Sequence, residues 1–366
     1  MKNVLLRSIA FHILLIVGMV QANGLVFAED VTPNYEIGVY YFPGWLDDQR
    51  GAPAKKPWDR IKAYPEREPL LGWYREGDIA IVEQQIDWME SYGIDYVVYD
   101  WYWDGKPMLE HALAAYMKAA NREKLKFSLL WSNHSKSPEN LEQFTTMIRY
   151  WVKYYFTRNN YLLIDGKPAV FIFSQERLRV NAKKFGYSTA DLIKLANEIA
   201  TKAGFAGIYF VGSTEAVTYW VKEYGPKNGY DAFSKYNYHR GFSGTYNPLT
   251  LPSHSYAELD RAYQQNWDWI LQNSPLPYIL PMTSGWDKRP WGGSTDPFHD
   301  NSFGNPVEFE NHLLAGRSRL DKYPAKTKKM AVICCWNEFG EGSYIEPTKK
   351  DGFAYLEKVK EVFGGR

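Results

Sequence analysis

The feature that most constrains the fold is a regular alternation of apolar, strand-like runs with amphipathic stretches, repeated eight times along the chain. Runs rich in Val, Ile, Tyr and Phe favour β-strands, and each is followed by a segment with helical periodicity. Eight βα units are the number that closes a parallel sheet into a barrel, so the sequence predicts an α/β fold, a single (β/α)8 TIM barrel with elaborated βα loops. The predicted strands are 37–45, 94–103, 126–134, 168–174, 207–214, 231–238, 278–287 and 330–338, and the predicted helices are about 78–92, 108–123, 138–156, 188–203, 215–224, 255–273, 306–321 and 351–363.

The first 28 residues have the pattern of an export signal. Lys2 and Arg7 precede the apolar run IAFHILLIVGMV, which ends in small and polar residues before VFAED. This order is typical of a secretory signal peptide, with cleavage expected after Ala28, and the run is short for a bilayer span. An uncleaved membrane anchor is the alternative. We therefore expect a secreted or periplasmic protein, with its barrel domain in residues 29–366.

Charge and composition narrow the class of partner. The chain has 43 Lys and Arg against 42 Asp and Glu, a net charge of +1, which argues against nucleic acid, an anionic membrane surface or a polyanionic substrate. Aromatic residues make up 17% of the chain, and aromatic faces with polar rims suit the stacking of pyranose rings. We expect a neutral carbohydrate partner, no membrane contact beyond the signal peptide, and a monomer.

Cysteine usage and missing motifs exclude several chemistries. The two cysteines, Cys334 and Cys335, are adjacent in an apolar run, and a disulfide between neighbours is strained, so we expect two free buried thiols. Zinc ligation by this pair without a histidine is not expected. The sequence has no Gly-rich nucleotide loop after a strand and no GxSxG nucleophile elbow. No metal or cofactor is predicted, although a structural calcium on Asp/Asn loops stays open.

Polar and aromatic side chains gather at the carboxyl ends of the predicted strands. In a barrel these ends form one ring, where barrel enzymes hold their active sites. The irregular segments 46–77, 239–254 and 288–305 also follow strands and would build a cleft at that face. The candidate binding residues are Tyr41, Trp45, Asp100, Trp101, Trp103, Asn133, His134, Tyr236, Trp286, Asp287, Trp336, Asn337 and Tyr344.

Glu338 and Glu341, in the segment CCWNEFGEGSY, are the strongest candidates for catalysis. Three residues along a tight turn leave two side chains on the same side, with Cβ atoms about 5–6 Å apart. Carboxyl groups about 5–5.5 Å apart suit retaining hydrolysis of a glycosidic bond, whereas about 6.5–9.5 Å suits inversion. A solvated acidic turn and a cation site are the alternatives. The position after the eighth strand favours an acid/base pair.

Three other polar candidates each have two interpretations. Asp100, in YDWYW, leaves an apolar strand between aromatic rings, so it is either a buried functional carboxyl or a structural partner for a loop. His134 could orient a sugar hydroxyl, act as a base, or be a structural histidine. Asp287, in SGWDKRPW, could hold a hydroxyl or pair with Arg289. Of the tryptophans among the candidates, we expect two or three to line the cleft.

Four segments resemble glycoside hydrolase family 99 and its bacterial WbsX-like relatives: IGVYYFPGW, YDWYW, SGWDKRPW and WNEFGEGSYIEP. The resemblance spans nearly all of residues 29–366 and implies a (β/α)8 catalytic domain. Characterised members of family 99 are retaining endo-α-1,2-mannosidases or mannanases that need no metal for chemistry. The resemblance therefore implies hydrolysis of a neutral, α-mannose-containing polysaccharide. A glycan-modifying WbsX-like glycosyltransferase and a non-catalytic carbohydrate-binding barrel are the alternatives.

The resemblance also implies a division of roles between the two glutamates. Glu338 would deprotonate the mannose 2-hydroxyl, which attacks the anomeric carbon to give a 1,2-anhydro sugar. Glu341 would protonate the leaving oxygen and then activate water to open the epoxide. Family 99 enzymes usually carry Trp-His between the glutamates, where this chain has Phe339 and Gly340, and this departure leaves the sugar and its linkage open.

Overall fold

The computed structural model describes residues 35–46, 56–238 and 251–364. The predicted signal peptide, residues 1–28, and parts of the predicted loops 46–77 and 239–254 lie outside these ranges. Export and cleavage after Ala28 therefore stay predictions. Within the described ranges, none of the helices combines the length and apolar character needed to span a membrane.

Eight parallel strands form the centre of the fold, and each overlaps a predicted strand. They are β1 (Glu36–Tyr41), β2 (Tyr96–Trp103), β3 (Lys126–Trp131), β4 (Lys167–Ile172), β5 (Tyr209–Ser213), β6 (Ala232–Ser234), β7 (Leu280–Thr283) and β8 (Met330–Cys334). Their order in the sheet is β6-β5-β4-β3-β2-β1-β8-β7. The Phe233 N–H donates to the Pro277 carbonyl and the Ile279 N–H donates to the Phe233 carbonyl, both at 2.9 Å, which joins β6 to β7. The prediction of a (β/α)8 barrel is confirmed.

Helices follow the strands along the chain, mostly where the periodicity predicts them. They are α1 (Ile79–Ser91), α2 (His111–Tyr116), α3 (Leu141–Trp151), α4 (Gln175–Lys184), α5 (Thr189–Lys202), α6 (Tyr256–Asn273), α7 (Pro306–Lys322) and α8 (Ala354–Phe363). Helix α4 was not predicted from the sequence. Its residues, QERLRVNAKK, include only two buried apolar side chains, Leu178 and Ala182, and therefore form no continuous apolar face. The helix predicted at 215–224 is a π-helix, Tyr219–Tyr224, and another π-helix, Val152–Phe156, extends α3.

Short helices and two-residue strands lie in the loops between the main strands and helices. The 3-10 helices are Pro57–Arg60, Pro65–Arg67, Arg122–Lys124, Arg289–Trp291 and Pro297–Asn301, and the short α-helices are Gly225–Lys227 and Pro324–Thr327. The two-residue strands are Pro107–Met108, Leu163–Ile164, Gly285–Trp286, Ser302–Phe303, Asn337–Glu338 and Ser343–Tyr344. The last two pair with each other in an antiparallel hairpin directly after β8.

Alternate residues of each strand face the helices or the barrel interior. Val39 and Val97 belong to a large buried cluster together with apolar residues of the helices. Tyr40 and Val98 belong to a second cluster, which contains strand and loop residues but no residue of α1 to α8. Because neighbouring residues of a strand point to opposite faces, the second cluster is the packed interior of the barrel.

The cysteine pair at the end of β8 differs from the prediction. Cys334 and Cys335 are joined by a disulfide, so the expectation of two free thiols is wrong. The peptide bond between them is cis and their Cα atoms lie 2.9 Å apart. The expectation rested on the strain of a disulfide between neighbouring residues. Both residues are fully buried.

His312 ties α7 to β7 and to α6. Its side chain is fully buried, and its Nε2 accepts a hydrogen bond from the Thr283 N–H at 3.1 Å. The neutral imidazole then carries its proton on Nδ1, which donates to Asp260 Oδ1 at 2.7 Å. We predict that His312→Phe lowers the free energy of unfolding by about 2–4 kcal/mol, because the buried Thr283 N–H loses its acceptor and the Asp260 carboxylate keeps only its hydrogen bond from Gln264. Urea unfolding followed by circular dichroism measures this loss.

His254 offers a matched control for that experiment. It makes a similar 2.7 Å contact with Asp296, but its side chain is 50% exposed. We expect His254→Ala to change the free energy of unfolding by less than about 1 kcal/mol, as is usual for exposed pairs. Equal losses in the two variants would contradict the role assigned to His312.

Candidate active site

The carboxyl ends of the barrel strands surround an open cavity of about 200 Å³, called the first cavity below. Both predicted catalytic residues line it, together with some of the predicted binding residues and several that the sequence analysis did not single out. The predicted residues that line it are Asp100, His134, Tyr236, Trp286, Glu338 and Glu341. The additional ones are Phe42, Tyr102, Phe173, Lys235 and Asn237.

Strand alternation explains why some neighbours of the predicted residues line the cavity instead. On β2, Asp100 and Tyr102 point to the interior, so Trp101 and Trp103 point outward. Trp101 packs edge-on against Trp151 at 5.4 Å and donates its indole N–H to Glu110 Oε1 at 2.9 Å. Trp101 and Trp103, predicted as substrate contacts, therefore pack on the helix side of β2 and do not line the first cavity.

Tyr41 and Asn133 also lie away from the first cavity. Tyr41 packs against Tyr99 at 5.0 Å and donates to Gln85 Oε1 at 3.3 Å, on the side of the strand that faces the helices. Asn133 is fully buried and bridges the ends of β3 and β4, since its Nδ2 donates to the Ser174 carbonyl and its Oδ1 accepts from the Ser174 N–H, both at 2.9 Å. Neither of these two predicted substrate contacts lines the first cavity.

Asp287 pairs with arginines, which is one of its two predicted interpretations. Its buried carboxylate accepts from the buried Arg67 guanidinium and from Arg289 Nε at 2.8 Å. Burial alone would raise the pKa of this carboxyl, but the hydrogen bonds from Arg289 and the charges of both arginines hold the pKa below its usual range. Its backbone N–H donates to the Glu341 carbonyl at 2.7 Å. Asp287 therefore holds the loop that bears Glu341 and does not line the first cavity.

Glu338 and Glu341 both belong to one β-hairpin. Asn337–Glu338 pairs with Ser343–Tyr344, so Glu338 ends one strand while Glu341 lies in the turn. The Glu341 N–H donates to the Glu338 carbonyl at 3.2 Å, which closes the turn. Gly342 has a φ of +65°, and a Cβ there would lie 2.8 Å from the Asp287 backbone N, so the turn requires a glycine.

Hydrogen bonds from the β1 and β7 loops and from Arg67 fix this hairpin. Asn337 Oδ1 accepts from the Phe42 N–H, and the Asn337 carbonyl accepts from the Trp45 indole N–H, both at 2.9 Å. Arg67 Nη1 donates to the Phe339 carbonyl at 2.6 Å. Trp45 and Asn337, predicted as substrate contacts, thus position the hairpin instead.

Trp336 and Tyr344 also help to hold the hairpin in place. Trp336 is fully buried, and its backbone N–H donates to the Tyr40 carbonyl at 2.7 Å. Tyr344 packs against Phe339 with ring centroids 4.7 Å apart and is 2% exposed. Both were predicted as substrate contacts, and both are packed in buried clusters and do not line the first cavity. Large apolar side chains therefore surround the hairpin that bears Glu338 and Glu341.

Glu76 is a buried residue that the sequence analysis missed. It is fully buried, and its Oε2 accepts from the Trp45 N–H at 2.9 Å and contacts His111 Nε2 at 2.6 Å. Asn337 Nδ2 approaches Glu76 Oε1 at 3.5 Å. Glu76 therefore holds the Trp45 backbone and the Asn337 side chain in position. It precedes α1 in an irregular segment without a recognisable motif, so no local pattern could have found it.

Burial sets the electrostatics of the carboxyl pair. Glu338 is 4% exposed, and loss of solvation, followed by the charge of Glu341, raises its pKa well above the usual range. Burial also raises the pKa of Glu341 to about 7, against a smaller opposing effect of Lys288. Both carboxyls therefore keep their protons to a higher pH than a solvated glutamate does.

Asp100 adds a third carboxyl to the first cavity. Burial is the main reason that its pKa lies well above the usual range, and the charge of Glu341 acts in the same direction. The neighbouring Tyr236 hydroxyl opposes this shift as a hydrogen-bond donor to Asp100, although neither Asp100 Oδ1 nor the Tyr236 hydroxyl makes a hydrogen bond of normal geometry within the described residues. A bound molecule could complete the hydrogen bonding of this pair.

A tryptophan fills the space next to Glu338. Trp291 Nε1–H donates to Glu338 Oε1 at 3.3 Å, and the Trp291 ring stacks on Trp45 with centroids 6.0 Å apart. A Cβ at Gly340 would lie 1.8 Å from Trp291 Nε1. The indole therefore reaches Glu338 only because residue 340 has no side chain. Where family 99 enzymes usually carry Trp-His, this chain has Phe339 and Gly340. The space left at Gly340 admits the Trp291 indole, a hydrogen-bond donor from the loop after β7, beside Glu338.

The described residues contain no group of three or more His, Cys, Asp and Glu side chains arranged to hold a metal ion. The carboxyls of the first cavity are instead surrounded by aromatic rings, one indole donor and Lys235. A pair of protonatable carboxyls at the end of a pocket can give and accept protons on a bound molecule.

We predict that Trp291→Phe raises the pKa of Glu338 further, because the indole donor stabilises the carboxylate form. Gly340→Ala should have the same effect by displacing the indole. Carbon-13 NMR titration of glutamate carboxyls, assigned with Glu338→Gln, measures the shift. Trp73→Phe is the control, since Trp73 packs in the same aromatic cluster. An unchanged Glu338 titration in both test variants would contradict this account.

Comparisons with known proteins show the same barrel. A family profile described as Glycosyltransferase WbsX matches residues 61–359. The structure of the GH99 endo-alpha-mannosidase from Bacteroides thetaiotaomicron with BIS-TRIS-propane is 16% identical, with a TM-score of 0.64 over 90% of this chain and 96% of that chain. A second structure of that enzyme is 14% identical, with a TM-score of 0.64 over 89% and 96%.

A structure named a glycoside hydrolase-like protein is 13% identical, with a TM-score of 0.61 over 90% of this chain and 94% of that chain. No curated protein sequence matches. At these identities the solved structures show a shared fold, and they agree with the barrel described above. Because the family profile matches most of the chain, this protein belongs to the WbsX family of glycoside hydrolase family 99-like barrels.

Proposed function

We propose that this protein is a glycoside hydrolase that cleaves a neutral, α-mannose-containing polysaccharide with retention of configuration. The observation that carries the proposal is the convergence of Glu338 and Glu341 on one cavity, both with a raised pKa. Aromatic rings of Phe173 and Trp286 in the same cavity offer apolar faces for a pyranose ring. The similar fold of an endo-alpha-mannosidase supports mannose as the sugar.

In the proposed reaction, Glu338 takes the proton of the sugar 2-hydroxyl, and the resulting oxygen attacks the anomeric carbon. The glycosidic bond breaks as Glu341 gives its proton to the leaving oxygen, and a 1,2-anhydro sugar forms. Water then attacks the anomeric carbon and loses a proton to Glu341, while Glu338 returns its proton to the 2-oxygen. Two inversions at one carbon give net retention.

The reaction requires a protonated Glu341 and an ionised Glu338 at its start. The Trp291 N–H favours ionisation of Glu338 because it stabilises the anion. The deeper burial of Glu338 opposes its ionisation. A sugar hydroxyl that donates to Glu338 would add a second stabilising hydrogen bond, so substrate binding would favour the ionised form of Glu338.

Two other functions remain as alternatives, each with a distinguishing measurement. The family description names a glycosyltransferase, and a transferase would consume a sugar nucleotide. A non-catalytic binding barrel would hold glycans without turnover. The pair of raised carboxyl pKa values favours catalysis over binding alone. The sequence has no Gly-rich nucleotide loop after a strand, which favours hydrolysis over transfer from a sugar nucleotide.

The proposal includes export and a monomeric state. Residues 1–28 carry the signal-peptide pattern, and an extracellular or periplasmic location would bring the protein to polysaccharide. Mass measurement of the protein purified from a secreting host would show whether cleavage follows Ala28.

We predict that Glu338→Gln and Glu341→Gln each lower kcat on α-mannan by about 10²–10⁴-fold, because each removes a proton-transfer group. Release of reducing sugar measures turnover, and isothermal titration with the same glycan should show that binding persists. Glu361→Gln, on the exposed surface of α8, is the control and should keep full activity. Full activity in both active-site variants would refute the assignment.

We predict that activity falls as the pH rises through about 7, because Glu341, whose pKa is raised to about 7, must be protonated to act as an acid. Lys288 lowers that pKa, so Lys288→Met should move the alkaline limb of the kcat profile to higher pH. Lys349→Met is the control and should leave the limb in place, because Lys349 is 55% exposed and pairs with Glu68. A limb that moves to lower pH in Lys288→Met would contradict the role of Glu341.

A further inference from the structure

We propose that Glu346, a buried acid that the proposed reaction does not use, is a positioning residue for the hairpin that carries Glu338 and Glu341, and that it acts in its un-ionised form. This inference rests on the proposed function, because positioning matters only if the two glutamates are catalytic. Glu346 lies shortly after the hairpin and is 2% exposed. It does not line the first cavity, so it acts through the hairpin and not on the substrate.

The backbone at Glu346 closes the base of the hairpin. The Glu346 N–H donates to the Trp336 carbonyl at 2.8 Å. The Ile345 N–H donates to the Cys335 carbonyl at 3.0 Å. Trp336 directly precedes the first hairpin strand, Asn337–Glu338. The chain that leaves the hairpin is therefore tied to the chain that enters it.

The Glu346 side chain anchors this base to α1 and to the irregular segment before α1. Its Oε1 accepts from Gln85 Nε2 at 3.0 Å, and its Oε2 lies 2.9 Å from the Tyr74 hydroxyl oxygen. Gln85 is held in this orientation by the Tyr41 hydroxyl, which donates to its Oε1 at 3.3 Å. A hydroxyl can donate to a carboxylate or accept from a protonated carboxyl, so these partners suit an un-ionised Glu346 as well as an ionised one.

Charge and burial decide between the two forms of Glu346. Within the described ranges, the hydrogen-bond partners of its carboxyl are the Gln85 amide and the Tyr74 hydroxyl, and neither carries a positive charge. A buried charge without an opposite charge is costly, which favours the un-ionised form. Burial raises the pKa of Glu346 to about 8, against the opposing hydrogen bonds of Gln85 and Tyr74, and the charge of Glu76 acts in the same direction as burial.

Ionisation of Glu346 would place a second anion beside the supports of Asn337. The titratable side chains that face Glu346 are Glu76 and Tyr74 from the segment before α1 and Tyr41 from β1. Glu76 accepts from the Trp45 N–H at 2.9 Å and contacts His111 Nε2 at 2.6 Å, which suits a carboxylate. Two negative charges would therefore repel each other under the hairpin once Glu346 ionises.

The first test compares the pH profiles of kcat on a glycan that the wild type cleaves. Glu346→Ala removes the anchor and should lower kcat at pH 6 by about 10–100-fold with little change in KM, because the two glutamates lose their alignment. Glu346→Gln, a neutral isostere, should restore the rate. At pH 9, where most of the wild-type Glu346 is ionised, Glu346→Gln should exceed the wild type in kcat by about tenfold. Glu90→Gln is the matched control, because Glu90 is a 49% exposed glutamate of α1, and its profile should follow that of the wild type.

The second test needs no turnover. The Trp45 indole N–H donates to the Asn337 carbonyl, so its hydrogen exchange reports opening of the hairpin. Because the pKa of Glu346 is raised in the folded protein, its contribution to protection is complete below about pH 4.5 and is lost as the pH rises toward about 8. We expect this loss, after correction for the intrinsic effect of pH on exchange, in Glu338→Gln/Glu341→Gln protein, where the catalytic carboxyls do not titrate. Adding Glu346→Gln to this background should abolish it.

Each outcome decides the proposal. Identical kcat profiles of Glu346→Gln and the wild type, or protection of the Trp45 indole N–H that changes equally with pH whether residue 346 is Glu or Gln, would overturn it. A higher kcat of Glu346→Gln at pH 9 together with protection that no longer depends on pH would support it. If the wild type cleaves no glycan, the proposed hydrolase activity fails, and hydrogen exchange alone decides whether Glu346 holds the hairpin.

Discussion

The active site depends on the hydrogen bonds that hold the hairpin after β8. Asn337 is the centre of this arrangement, because its side chain accepts from β1's loop at Phe42 and its carbonyl accepts from Trp45. Both glutamates are placed by the backbone of this one hairpin, so a shift of Asn337 would move both carboxyls. Arg67 and Asp287 fix the far side through the carbonyls of Phe339 and Glu341. Positioning by buried backbone contacts is what a catalytic pair needs.

Three carboxyls are buried in one cavity. Their burial raises their pKa values, which suits proton transfer, but it also lowers the stability of the folded protein as the pH rises. Asp100, Glu338 and Glu341 all have a raised pKa, chiefly through loss of solvation. A carboxyl whose folded-state pKa is raised favours the folded state fully below its unfolded pKa. For Glu341 that contribution is lost as the pH rises from about 4.5 toward about 7. The barrel tolerates this because its large buried core supplies stability elsewhere.

The fold could be predicted almost completely from the sequence. Eight apolar runs with regular spacing leave few alternatives to a closed barrel, and the carboxyl ends of its strands meet by geometry. Asp100, Glu338 and Glu341 were expected at that end of the barrel, and all three line the first cavity. Trp101 and Trp103, next to Asp100 on β2, lie outside the cavity because side chains alternate along a strand.

Other features depend on contacts between distant segments, which no local pattern records. Glu76 meets Trp45 and His111 only in the folded chain. Gly340 and Trp291 are separated in sequence, and the space that one leaves for the other is visible only in three dimensions. The disulfide between Cys334 and Cys335 has no sequence signal beyond the adjacency of the two residues.

Joint action of Glu338 and Glu341 on one glycosidic bond would leave the anomeric configuration unchanged. Proton NMR of the anomeric region, recorded during the first turnovers on an α-linked mannan, distinguishes this outcome from inversion. We expect the newly formed reducing end to appear first as the α-anomer and only later to mutarotate. First appearance of the β-anomer, or no new reducing end with any α-mannan, would refute the roles proposed for the two glutamates.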